Sequence, residues 1–279
     1  MRILRVFCLS LLWLASFQAV LQCQNLFDSL SMVKYANFLY QAGSYGEAAE
    51  EYERLVGRFS ADNVAKYRLV SSYRKRGLTA IALDRMDELW ISPHSVSQPV
   101  AREFFALKIV NDSPDNLLHE IDLNSLLTYR DKMFLSSAHL LFNDRYNEAH
   151  HLLSGNMNYP SPVLSSFMSL ANEGIDLTWK SPVLSGSLSA VIPGAGKFYI
   201  GKWQDGLLAL VSVGTMAWQS YRGFDNNGVR SSYGWVFGTI GTVFYIGNIA
   251  GSIKAANRFN KVNRERIRDH VQEIFTDNI

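Results

Sequence analysis

A run of 23 residues, Ser231 to Ile253, contains no Asp, Glu, Lys, Arg or His. A helix needs about 20 predominantly apolar residues to cross a bilayer, so this run predicts a membrane span. A second uncharged run, Gly206 to Tyr221, has 16 residues, with Trp203, Trp218 and Tyr221 placed as interfacial anchors. Together the runs predict a transmembrane hairpin with spans at about 204–221 and 232–253. The chain as a whole is 48% hydrophobic and 19% charged, an average that conceals how few charges fall in this module. The fold class expected is all-α, with a soluble helical arm ahead of an α-helical hairpin.

Residues 1–24 read as a secretory signal, because Arg2 and Arg5 precede the apolar stretch Val6 to Leu14 and polar Gln22 and Gln24 follow. Val20-Leu21-Gln22-Cys23 is similar to a bacterial lipobox, although Gln22 stands where a small residue belongs. Cys8 and Cys23 are the two cysteines of the chain, so a mature form lacking the signal has at most one and forms no internal disulfide. A net charge of +2 is too small to point to nucleic acid.

Between residues 25 and 178 the pattern is helical and repeated. Gly43 and Gly77 are 34 residues apart, as are Ala48 and Ala82, Tyr52 and Met86, and Leu55 and Leu89. In the first copy Ala36 and Ala48 let two antiparallel helices approach, Gly43 closes their turn, and Tyr45 and Tyr52 fill the groove. A later copy at 133–153 repeats the spacing with Tyr146 and Ala149, and 100–121 has the length of a degenerate hairpin with Asn111 and Asn116 in the glycine and alanine places. This period resembles the tetratricopeptide repeat, whose stacked hairpins present a concave surface to a partner protein. The resemblance implies a binding arm, with a passive helical spacer as the other reading.

The module over 181–253 begins with a helical stretch, Pro182 to Ile192, whose second face is small: Ser185, Gly186, Ser189 and Ala190. Pro193, Gly194 and Gly196 then break it, and Lys197 and Lys202 can reach lipid headgroups. Pro193-Gly194-x-Gly196-x-x-Tyr199-x-Gly201-Lys202, followed by Gly206, resembles the head of small two-span membrane domains found in many bacterial proteins. In the last span the pairs Gly234/Gly238 and Gly247/Gly251 suit close helix contact, and Asn248 is placed to hydrogen-bond across it.

Beyond Ile253 the segment 254–279 reads as a basic helical tail, with Lys254, Arg258, Lys261, Arg264, Arg266 and Arg268. The positive-inside rule assigns such a tail to the cytoplasm, whereas a secreted arm and two spans return it to the outer side. A weak third span at 182–200 would remove that conflict, and both topologies stay open.

No catalytic residues, cofactor loop or metal-ligand spacing is expected: His94, His119 and His139 are isolated, and adjacent His150 and His151 point about 100° apart on a helix. The expected partners are membrane lipid and a protein of the bacterial envelope, with no nucleic acid. The expected location is the inner membrane with the arm in the periplasm, an outer-membrane lipoprotein being the alternative. The function expected is a membrane-anchored scaffold or adaptor; a transport or insertion component acting through the Pro-Gly module is the second reading.

Overall fold

The computed structural model describes residues 29–59, 62–111, 114–155 and 161–279. The expected signal segment, Cys8 and Cys23 lie outside the described residues. Among the described residues the fold is all-helical, without strands. The chain forms two compact units, one ending at His139 and the other running from Leu140 to Asn278.

The first unit opens with α1 (Ser29–Gln41), α2 (Tyr45–Arg58), α3 (Asn63–Lys75) and α4 (Thr79–Leu89), followed by α5 (Gln98–Asn111), α6 (Leu117–Leu123) and the start of α7 (Tyr129–Phe142). The helices from α1 to α6 each pack on the next in the chain. Gly43 and Gly77 adopt φ of 78° and 79°, the left-handed conformation that glycine accepts without a Cβ clash, and each reverses the chain between helices. Ala36, Ala48 and Ala82 are fully buried, so the backbones approach closely at the positions that the 34-residue period marks. Tyr45 sets its ring edge-on to Tyr40 at 5.5 Å, and the buried Tyr52 donates to Asn37 Oδ1 at 2.6 Å. Asn111, in a turn-glycine place of the period, donates from Nδ2 to the Thr79 carbonyl at 3.1 Å.

Two polar arrangements fix this unit. At the start of α7, Thr128 and Asp131 form a reciprocal cap: the Asp131 amide donates to Thr128 Oγ1 at 3.2 Å, and the Thr128 amide donates to Asp131 Oδ2 at 3.1 Å. Burial alone would raise the Asp131 pKa, but hydrogen bonds from Thr128 and Gln98 and the charge of Arg102 together hold it below the usual value. Deeper in the unit, Arg74 Nε lies 2.5 Å from Glu103 Oε1, with Arg74 7% and Glu103 1% exposed. Burial pushes the Glu103 carboxyl up in spite of Arg74, and Glu103 Oε2 has no partner among the described residues. Burial, with the negative charge of Glu103 next in size, carries the Tyr67 phenol to about 12.

The second unit contains the end of α7, α8 (Tyr146–Ser154), α9 (Pro162–Asp176), α10 (Pro182–Val191), α11 (Ala195–Tyr199), α12 (Trp203–Asn227) and α13 (Ser232–Asp277). Tyr146 and Ala149 are buried, and the Tyr146 ring lies so close to Gly174 that a Cβ there would fall 2.4 Å from it. The turn before α8 uses Asp144 at φ 59°, in the place that Gly43 and Gly77 occupy two residues ahead of their helices. The expected boundary near residue 178 is not where the chain divides, because the C-terminal half of α13 belongs to the same body as α8 and α9. That half is the sequence's basic tail, and it buries Ile267, Val271 and Phe275. Three of its arginines are engaged: Arg264 pairs with Asp144 at 2.9 Å, Arg266 with Glu173 at 2.6 Å, and Arg268 donates to the Phe142 carbonyl at 2.9 Å.

α13 is the helix among the described residues that is long and apolar enough to cross a membrane. Its most apolar stretch has a mean hydropathy of 1.4, and only 11% of that stretch is buried.

Replacing Arg74 alone, as Arg74→Met, strands a buried carboxylate and is expected to cost about 3–5 kcal/mol, read as faster hydrogen exchange across α3 and α5. Arg74→Met with Glu103→Leu removes both charges and should restore protection to near the parent level. Because the folded Glu103 pKa lies above its unfolded value, the stability that Glu103 contributes is fully present below the unfolded value and is lost as pH rises through the folded one. That pH dependence should vanish in the double variant.

Candidate functional site

The residues of the Pro-Gly motif converge on the middle of the second unit. α10 starts at Ser181, whose hydroxyl accepts from the Leu184 amide at 3.2 Å, with Pro182 at the first helical position. The helix ends at Val191 ahead of Pro193, and Gly194, at φ 88°, turns the chain into the short α11. The chain folds back there, so that Tyr199 Oη accepts from the Ser181 amide at 3.2 Å. Gly201, at φ 91°, and Lys202 then lead into α12.

The turn is bound by a chain of hydrogen bonds among three fully buried serines. The Gly196 amide donates to Ser189 Oγ at 3.0 Å, Ser189 Oγ lies 2.7 Å from Ser252 Oγ on α13, and Ser252 donates to the Asn248 carbonyl at 2.9 Å. Ser185 Oγ lies 3.0 Å from the Ser252 carbonyl and 3.2 Å from that of Gly196. Ser185 and Ser189 sit one turn apart on α10, and Ser252 faces both from α13. The small face of α10 was legible, but Ser252 as its partner was not.

Glycine is required where the backbones meet. A Cβ on Gly196 would stand 1.9 Å from the Ser185 carbonyl oxygen, and one on Gly194 would stand 2.1 Å from that of Gly206. Gly201 has positive φ but open space around it.

Antiparallel to α13, α12 packs along its first half. Gly234 lies against Phe224 and Gly223, Gly238 against Ser220, and Gly241 against Met216. The pair Gly234/Gly238 therefore meets α12 as expected from its spacing, and Gly223 is its unforeseen counterpart. The pair Gly247/Gly251 does not serve helix contact, since a Cβ at either residue would meet nothing within 4 Å. Three further bonds tie α13 to α10 and the residue pair ahead of it: Tyr245 Oη donates to the Ala190 carbonyl, the Lys180 amide donates to Asn260 Oδ1 at 2.9 Å, and Asn260 Nδ2 donates to the Lys180 carbonyl at 2.8 Å.

Asn248 departs from its expected role. It is 6% exposed, yet neither Nδ2 nor Oδ1 has a hydrogen-bond partner among the described residues. It lines a cavity of about 390 Å³ between α11, α12 and α13, whose other polar groups are Lys197, Asp205 and Ser212 and whose apolar wall includes Leu208 and Phe244. The Pro-Gly motif, the serine chain and this cavity form one continuous feature. The repeat residues of the first unit lie elsewhere and line helix packing.

Against known proteins the chain matches no family model, no curated protein and no solved structure.

Gly196→Ala should be far more damaging than Gly201→Ala. The first forces carbonyl and Cβ apart and is expected to cost more than about 3 kcal/mol, whereas the second costs about 1–2 kcal/mol for its left-handed backbone. Thermal unfolding of the detergent-solubilised chain, compared between the two variants, measures the difference.

Proposed function

We propose that this chain is a membrane-anchored helical scaffold of a bacterial envelope, held by the α12–α13 hairpin and recruiting a protein partner through its tetratricopeptide-like arm. The observation that carries the membrane half is the exposure of apolar side chains along both helices. Leu208, Val211, Trp218 and Tyr221 on α12 and Tyr233, Trp235, Val243, Phe244 and Ile246 on α13 are all at least 47% exposed. The core helix of a water-soluble protein hides such residues, whereas a bilayer solvates them. With 25 residues, α12 is roughly 37 Å long at 1.5 Å per residue, enough to cross beside α13.

A two-span topology is supported by the bonds between Lys180 and Asn260, which join the two ends of the module. That junction favours an even number of crossings, with α10 and α11 dipping in and returning rather than spanning. Arg264, Arg266 and Arg268 are bound to groups of the same unit, which gives the basic tail a structural reason that does not depend on the cytoplasm.

For the arm, the supporting feature is the recurrence of a left-handed turn residue at Gly43, Gly77 and Asp144, each two residues before a helix whose fourth residue is a buried alanine. Helical hairpins stacked in this way offer an extended surface for a peptide or protein.

Fractionation of cells expressing the full chain tests the anchor: it should remain in the membrane pellet through alkaline carbonate and be released by detergent. Recovery in the soluble fraction would overturn the reading. Topology is tested with single cysteines at Asp84, Asn226 and Thr276 in a background with Cys8 and Cys23 replaced by serine. An impermeant thiol reagent should label positions 84 and 276 from one side of the membrane and position 226 from the other. Labelling of 276 together with 226 would exclude the two-span arrangement.

A further inference from the structure

We propose that the cavity beside Asn248 is a binding site for the headgroup of a phospholipid that carries a primary ammonium as well as its phosphate. The inference rests on the membrane reading above and adds a ligand to it.

The starting point is an unmet requirement. A buried amide without hydrogen bonds costs about 1–3 kcal/mol, and the cost is greater where no water can reach it. The Asn248 carbonyl is occupied by Ser252, so the side chain alone is left over, with two N–H donors and one acceptor oxygen. The cavity it lines, at about 390 Å³, is far larger than the roughly 10–15 Å³ that one water needs on the same measure.

The order of groups along the cavity identifies the occupant. The contacts Gly234–Gly223, Gly238–Ser220 and Gly241–Met216 set an antiparallel register in which Asn248 stands about one turn further along α12 than Asp205. Lys197 on α11 and Asp205 in the first turn of α12 thus mark one end, Leu208 and Asn248 come next, and Ser212, Val243 and Phe244 lead away along the hairpin. Neither Lys197 nor Asp205 uses its charge in an ion pair among the described residues. Val243 is 64% and Phe244 52% exposed, so beyond Asn248 the cavity opens sideways onto the apolar surface of the hairpin.

A cation and an anion at the mouth, an amide below them and an apolar flank below that reproduce, with opposite charges, the sequence of a zwitterionic phospholipid. The Lys197 ammonium takes the phosphate, and the Asp205 carboxylate takes the lipid ammonium. A primary ammonium has three donors, enough for Asp205 and for Asn248 Oδ1, while Asn248 Nδ2 donates to a phosphate or ester oxygen. A quaternary ammonium has no N–H to give, and a purely anionic headgroup leaves Asp205 facing like charge. The site is therefore selective for phosphatidylethanolamine over phosphatidylcholine and phosphatidylglycerol.

The test uses the full chain reconstituted into vesicles of equal parts of these three lipids, then extracted in mild detergent and assayed for retained lipid by native mass spectrometry. Phosphatidylethanolamine should be retained at least about tenfold over the other two, the discrimination expected of one charge-assisted contact. Asp205→Asn should abolish the preference over phosphatidylcholine. Gly247→Leu, placed where a side chain meets open space in the cavity wall, should reduce retention about tenfold without loss of helix, because leucine favours helix over glycine. Equal retention of the three lipids, or retention untouched by Gly247→Leu, overturns the proposal. Either result leaves a chain that still sediments with membranes, so it is distinguishable from failure of the anchor itself.

Discussion

A backbone that turns in apolar surroundings must satisfy its own polar groups, and in this protein three serines meet that demand. The chain breaks at Pro193 and Gly194, where the helix ladder can no longer supply partners. Ser189 receives the Gly196 amide, Ser185 stands beside the Gly196 carbonyl, and Ser252 links both serines to α13. Hydroxyls suit this position because each is small enough for close packing and carries both a donor and acceptors. The glycines follow from the same constraint: with the carbonyl of Ser185 this near, residue 196 has no room for a side chain. The motif thus describes a way of folding a short helix back on itself where water is scarce.

The same economy makes Asn248 conspicuous. The three serines of the turn are hydrogen-bonded within the protein, while this amide faces a cavity. Serines at 185, 189 and 252 hold the wall that Asn248 belongs to, so the cavity has a rigid side and an open side. A few placed polar groups in a largely apolar lining are the usual character of a ligand pocket.

Much of this was legible in the residues, for reasons that also explain what was not. The uncharged run Ser231 to Ile253 falls within α13, because a long stretch without ionisable groups has few stable alternatives to a helix. Gly43 and Gly77 fall at left-handed turns because their period and the freedom of glycine point the same way. Asp144 takes the equivalent conformation without that signal, since aspartate reaches the left-handed region less often and its spacing is one residue off the period. Spacing also misled at Gly247 and Gly251: four residues apart puts them on one face, but which face meets α12 is set by Gly234, Gly238 and Gly241. In the tail, the abundance of arginine suggests membrane topology, whereas three of these arginines bond to groups of their own unit. The stripe Ile267, Val271 and Phe275, four residues apart, carried the packing information instead.

That tail is continuous with the apolar stretch in a single helix of 46 residues, Ser232 to Asp277. At 1.5 Å per residue it is roughly 69 Å long, with no proline to interrupt it. One half is gripped by α10 and α12, and the other by α9 through Arg266 and its apolar stripe. No break separates the two grips, so they share one helix axis. A displacement of α13 between α10 and α12 therefore reaches α9 along one unbroken helix.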